Sequence, residues 1–302
     1  LATVQDKAGL LQEGLVRIQR EVDASFDEFL PMPADTRKRL IEAMRYAAIG
    51  GGKRVRPLLL TATASLFNVD RQAAVRAGCA VESIHVYSLI HDDLPCMDDD
   101  ALRHGKPTLH RHFDEATAVL AGDSLHALAF EILSMPEISD DPHVRADLVA
   151  TLAGASGMHG MAGGQMMDIV AEESQYDLPA VTRLQQLKTG ALLAAAVEMG
   201  AILGRAHEDS RAPLRFYSRD IGLAFQIADD LLDHEGDEAK AGKALRKDDG
   251  QGKQTFVSLM GAEAARTQAR ALVDQAVGHL DHFGAEADLL RELARFIVER
   301  DR

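Results

Sequence analysis

The 302-residue chain predicts an all-α fold: one large helical bundle with a central cavity between two Asp-rich helices. Three observations carry this. Apolar residues recur at three- and four-residue intervals through segments rich in Ala, Leu, Glu, Arg and Gln, while alternating β-branched runs are scarce. Pro and Gly clusters cut the chain into helix-length pieces. Two segments, 71–93 and 214–232, are apolar around most of their circumference, which marks helices with neighbours on several sides.

Taken in order, helices are expected over about 5–29, 36–49, 57–67, 71–93, 114–133, 143–158, 178–204, 211–235, 253–282 and 285–300. The breaks fall at Pro31-Met32-Pro33, Gly50-Gly51-Gly52, Pro95, Pro107, Pro136, Pro142, Gly163-Gly164 and Gly236. No composition shift marks a linker, so residues 1–302 are expected to form one domain. Residues 236–253, GDEAKAGKALRKDDGQGK, are the most loop-like internal stretch, with glycines and lysines suited to a mobile lid.

A net charge of −14, from 47 acids against 33 bases, argues against nucleic-acid binding through a basic surface. The two cysteines, Cys79 and Cys96, have neither disulfide nor metal spacing, which fits a cytoplasmic location. No uninterrupted run of about 18 apolar residues occurs, so no membrane span is expected. The chain starts at Leu1 and carries Asp6 and Glu13 early, without the pattern of a cleaved leader.

The chemistry begins where the first apolar helix ends, in His91–Asp100, HDDLPCMDDD. Asp92 and Asp93 stand at a helix C-terminus, whose negative partial charge disfavours acids. Asp229, Asp230 and Asp233, in QIADDLLDHEG, make the same unfavourable choice near the end of the second apolar helix. A divalent cation reverses the sign of both penalties. Asp229 and Asp233 are i and i+4, hence on one face, and Pro95 stops the first helix so that Asp98 can fold back beside Asp92. With oxygen ligands only and no His or Cys at metal spacing, the pattern favours Mg²⁺. The bland alternative for such runs is a solvated acidic loop.

The opposite sign appears at Ile49–Leu60, IGGGKRVRPLLL. Lys53, Arg54 and Arg56 crowd a helix start, where cations oppose the dipole and an anion relieves them. The P-loop spacing is absent, and a solvated basic cap is the alternative. Arg103, Lys106, Lys188, Lys243 and Lys253 add cations that no structural pattern requires. Acids and bases around one cavity suit a diphosphate bound partly by Mg²⁺ and partly by Lys and Arg. The apolar helix below the acids suits a hydrocarbon. Together they describe a prenyl diphosphate.

GGKRVRP, DDLPCMD followed by LRHGKPT, LKTGALL and FQIADDLLD resemble the motifs of the trans-prenyl diphosphate synthases, in family order and over nearly the whole chain. Within that family the likeness is to the bacterial farnesyl diphosphate synthases (geranyltranstransferases). The resemblance implies an all-α isoprenoid synthase fold, a homodimer, Mg²⁺ dependence, and condensation of isopentenyl diphosphate with dimethylallyl or geranyl diphosphate. It implies Asp92, Asp98 and Asp229 as principal metal ligands and Asp93 and Asp233 as supporting acids. Arg103, Lys188, Thr189, Gln226, Lys243 and Lys253 match the allylic diphosphate site. Lys53, Arg56 and His85 match the isopentenyl diphosphate site, although His85 alone reads as a core histidine. Asp92, Asp98, Arg103, Lys188, Asp229 and Lys243 are then the catalytic candidates. Tyr87, about 7.5 Å down the helix from Asp92, and Ser88 beside it are implied as the floor that limits product length. One position departs: the family usually has two arginines where this chain has Arg103-His104, and the second normally contacts isopentenyl diphosphate. A geranylgeranyl diphosphate synthase and a non-catalytic partner subunit are the alternative readings.

Overall fold

The computed structural model describes residues 4–171, 174–235 and 254–299, and they form a helical bundle. Helix α1 spans Val4–Phe29, α2 Lys38–Ala48, α3 Val55–Ser65 and α4 Arg71–Asp92. A two-stranded hairpin follows, β1 Leu102–Arg103 against β2 Lys106–Pro107. Then come α5 Leu109–His112, α6 Glu115–Ser134, α7 Pro142–Ser156, α8 Met161–Ala171 and α9 Leu178–Gln185. A single π-helical turn, Gln186–Gly190, joins α9 to α10, Ala191–Leu203. Helix α11 is Glu208–Glu235, α12 Phe256–Met260, α13 Ala262–His279 and α14 Asp288–Glu299, the last preceded by a 3₁₀ turn at Ala285–Ala287.

Short polar side chains start the helices. Asp70 accepts from the Ala73 amide (3.0 Å), Asp114 from Thr117 (2.7 Å) and Asp177 from Ala180 (3.0 Å), each satisfying an amide with no partner inside its helix. Each such cap contributes about 1 kcal/mol. Helix α4 is central, as its apolar circumference predicts: it packs along α6, α3 and α1. Helix α11 packs along α13 and α10. Tyr217 of α11 is fully buried and donates its hydroxyl to the Leu290 carbonyl (2.7 Å), tying α11 to α14. These contacts hold the C-terminal ends of α4 and α11 on the walls of one cavity.

The expected boundaries differ from the structure in four places. The break expected at Gly163-Gly164 lies inside helix α8. The helix expected over 253–282 is divided at Gly261, whose φ of +83° a helix does not tolerate. The helix expected over 178–204 contains the π turn. The segment after the first acid cluster is a hairpin, with His104 (φ +51°) and Gly105 (φ +75°) as a two-residue turn of the type that matches strand twist. The expected lid, 236–253, with Lys243 and Lys253, lies outside the described residues. Two helical stretches, Glu115–Ser134 and Leu178–Leu203, are on average long and apolar enough to cross a membrane, but about half of each lies inside the bundle.

Candidate active site

A cavity of about 1140 Å³ runs between α4 and α11. Its polar lining falls into two groups: Lys53, Arg56, His85 and His104 make a cation end beside the loop before α3. Asp93, Asp98, Arg103, Lys188, Gln226, Asp229 and Asp233 make an acid end, and the two groups meet where Arg56 faces Asp229. Val86, Leu89 and Ile90 of α4, with Val181, Leu184 and Phe225, supply an apolar wall. Asp92 and Thr189 are not among the lining residues, but the Asp92 carboxylate lies within electrostatic reach of Lys188, Asp98, Arg103 and Asp93.

The acid end is built by the stop at Pro95. The chain turns so that the Asp98 amide donates to the Asp92 carbonyl (2.8 Å), bringing the two acids together as the sequence requires. Asp99 takes a left-handed backbone (φ +46°) and holds Arg111 (3.0 Å), fixing the far side of the turn. Burial, with Asp98 and Asp93 nearby, raises the Asp92 carboxyl to about 6 against the opposing pull of Lys188. Asp93 is buried and accepts from both Nε (3.0 Å) and Nη2 of Arg103, so it orients that guanidinium. Asp230 is also occupied structurally, accepting from the Phe256 amide (2.8 Å) at the start of α12. Among the described residues, no three acids already stand as a metal-binding cluster. The donor set still fits Mg²⁺, a hard ion that uses few carboxylates and completes its shell with water and phosphate oxygens.

Lys188 sits on the π turn, a feature that often re-aims side chains at functional sites. Asp168 of α8 holds its ammonium at 2.7 Å. The two segments approach closely because Gly164 has no side chain: a Cβ there would lie 2.2 Å from the Lys188 amide nitrogen. The sequence reading missed Asp168. Its one signal is a lone acid within the apolar GGQMMDIV segment.

At the other end, Gly50 (φ +74°) and Gly52 (φ +70°) carry the chain from α2 into α3. Lys53 extends over the Phe296 ring (5.5 Å), and half-buried Arg56 lines the cavity, its charge facing Glu82 and Asp229. Arg54, read as part of the basic cluster, is instead buried and bonded to Glu82 (2.8 Å) and Asp23 (2.8 Å). Burial, together with Arg56 and His104, pushes His85 well below the usual imidazole range, which favours its neutral form. His104 is placed at the site: its ring lies 3.7 Å from where a Gly51 Cβ would stand. Burial and Arg103 lower its pKa too.

Tyr87 faces α6, its ring edge-on to His126 (4.9 Å) and His91 (5.8 Å). The Ser88 hydroxyl is turned onto the His85 carbonyl (2.8 Å). Neither residue is among those lining the cavity.

Comparison with known proteins agrees with this architecture. Residues 37–294 match the polyprenyl synthetase family. The chain is 46% identical over 270 residues to the farnesyl diphosphate synthase of Escherichia coli (strain K12), covering 87% of this chain and 90% of the relative. It is 42% identical over 293 residues to the chloroplastic geranylgeranyl pyrophosphate synthase 11 of Arabidopsis thaliana, covering 95% and 81%. The apo crystal structure of an FPP/GFPP synthase from Zymomonas mobilis superposes with a TM-score of 0.88 at 58% identity, over 97% of this chain and 99% of that one. A helical bundle with two acid-bearing helices around a half-apolar cavity, matched along its length in this way, belongs to the polyprenyl synthetase family of prenyltransferases.

Proposed function

We propose that this short-chain trans-prenyltransferase joins isopentenyl diphosphate to dimethylallyl and then geranyl diphosphate, giving (2E,6E)-farnesyl diphosphate. The observation that carries the reading is the lining of one cavity: acids with Arg103 and Lys188, the cations Lys53 and Arg56 with His85, and an apolar wall formed by α4, α9 and Phe225.

The allylic diphosphate occupies the acid end. Asp92, Asp98, Asp229 and Asp233 would hold Mg²⁺ there, and the ion supplies charge neutralisation of the leaving diphosphate. Arg103, oriented by Asp93, and Lys188, exchanging Asp168 for phosphate, add fixed positive charge where negative charge grows as the C–O bond breaks. Gln226 lines the same wall, and Thr189 follows Lys188 on the π turn. The departing diphosphate takes the bonding pair, leaving an allylic cation. Isopentenyl diphosphate, held by Lys53, Arg56, neutral His85 and His104, presents its double bond to that cation. The new C–C bond leaves a tertiary cation, which loses a proton to the departed diphosphate. No protein nucleophile enters the scheme.

A longer product is the second reading, favoured by the position of Tyr87 and Ser88 outside the cavity wall. In the farnesyl reading, Tyr87 closes the space between α4 and α6 as the tail grows. The homodimer is proposed on the outward side of α6 and α7, where Val119, Leu120, Ala146, Ala150 and Ala153 are exposed. The location is proposed to be cytoplasmic, in keeping with two free thiols. The functional test is incubation with isopentenyl and dimethylallyl diphosphates plus Mg²⁺, with chain-length analysis. A C15 product supports the reading, a C20 product favours the second, and absence of condensation rejects both.

A further inference from the structure

A site for an anion would be expected to exclude carboxylates, yet Glu82 lines the cation end and is only 3% exposed. It stands one helical turn before His85 on α4. Its Oε1 accepts from Nη1 of Arg54 (2.8 Å), a residue equally buried. Arg54 Nη2 donates to Asp23 of α1 (2.8 Å) and to the Ala48 carbonyl at the end of α2 (2.5 Å). One guanidinium thus joins α1, α2 and α4.

Its backbone is equally constrained. Arg54 is the residue before α3 and adopts φ +53°, a left-handed conformation that an arginine holds only when its surroundings impose it. Between Ala48 and Arg54 lies the loop whose Gly50 and Gly52 have positive φ. The bond from Arg54 to Ala48 therefore closes this loop upon itself. The same loop carries Lys53 and leads into Arg56. Glu82 also faces the loop: a Cβ at Gly52 would lie 3.9 Å from its Oε1 and 3.9 Å from Nε2 of His104.

We propose that Glu82 is a positioning residue for isopentenyl diphosphate: through Arg54 it fixes the 50–53 loop, and with it Lys53 and Arg56, in the arrangement that receives the diphosphate. Arg54 is a strut, not a ligand. The proposal rests on reading this end of the cavity as the isopentenyl diphosphate site. It also predicts a sign. If Glu82 acted only as a nearby charge, removing it would lessen repulsion and tighten anion binding. If it positions the loop, removing it weakens binding.

The experiment compares the parent enzyme with Glu82→Gln, Glu82→Asp and Asp23→Asn. Isopentenyl diphosphate binding is measured calorimetrically, and KM is measured separately for isopentenyl and geranyl diphosphates. Glu82→Gln is expected to weaken isopentenyl diphosphate binding about tenfold, the scale of a buried charge-assisted hydrogen bond, with the KM for geranyl diphosphate changed less than about twofold. Glu82→Asp should restore part of the loss. Asp23→Asn changes a residue outside the cavity wall, and is expected to weaken the same binding about threefold. Should Glu82→Gln fail to fold, Asp23→Asn carries the test alone. Unchanged or tighter isopentenyl diphosphate binding in a folded variant overturns the proposal, as does an equal rise in both KM values. A parent that binds no isopentenyl diphosphate overturns the site reading instead.

Discussion

The two ends of the cavity are built on opposite plans. At the cation end, Arg54 is bonded to Glu82 and Asp23 and braces the loop that carries Lys53, and burial favours the neutral form of His85. At the acid end, Asp93 is paired with Arg103 and Lys188 with Asp168, yet burial, with Asp98 and Asp93 nearby, still raises Asp92 to about 6. The difference shows what each end awaits. A prearranged cation end needs only its anion. In the proposed reading, the acid end takes its diphosphate together with a metal ion.

The strongest way to break this comparison is at Asp92. Asp92→Ala should lower turnover by on the order of a thousandfold or more by disabling the proposed metal site. Circular dichroism and the binding of isopentenyl diphosphate should stay near those of the parent. Near-normal turnover would remove Asp92 from the metal site.

Gly164→Ala is expected to have the next largest effect. Its Cβ would press on the backbone of the π turn at Lys188, which has no flexible end to yield. Displacing that ammonium should lower turnover by about tenfold to a hundredfold and raise the KM for geranyl diphosphate, leaving that for isopentenyl diphosphate unchanged. Steady-state kinetics with each substrate varied in turn checks the split.

His104 sharpens the comparison at the other end. Its pKa is lowered from the usual imidazole value, because burial and Arg103 disfavour the charged form. Bound diphosphate favours the charged form and raises the value. Affinity therefore falls as pH rises from the empty-site pKa to the bound-site pKa, and is flat beyond either. Arginine stays charged throughout and offers a planar fork to phosphate. His104→Arg should lower the KM for isopentenyl diphosphate about fivefold at pH 7.5. The advantage should shrink as pH falls towards 5.5. A constant advantage at every pH would show that geometry, not charge, separates the two residues.

Tyr87→Ala should change the rate least and the product most. It removes the ring between His91 and His126 and should extend chains beyond C15 at similar turnover. An unchanged C15 product, read by chromatography of the dephosphorylated alcohols, would place the floor elsewhere.

Much of this was legible in the sequence because the physics was local. Acids at the C-terminal ends of two apolar helices contradict the helix dipole, and that contradiction pointed to the acid-lined part of the cavity without coordinates. Pro95 likewise foretold the return of Asp98 to Asp92. What was not legible depended on partners distant in the chain. Gly163-Gly164 reads as a break, but Gly164 is small because α8 presses on Lys188 some twenty residues on. Asp168 is an ordinary acid until Lys188 is beside it. Arg54 reads as a phosphate ligand beside Lys53 and Arg56, and only the convergence of Asp23, Ala48 and Glu82 shows its side chain turned into the core.

The measurement that tests the contrast most directly is calorimetric titration of each substrate with and without Mg²⁺. Isopentenyl diphosphate should bind with a Kd that changes less than about threefold when the metal is chelated, since prearranged protein cations hold it. A non-ionisable geranyl thiolodiphosphate should lose on the order of a hundredfold or more in affinity on chelation, since the proposed Mg²⁺ forms part of its binding site. Equal metal dependence of the two ligands, or none for either, would contradict the account.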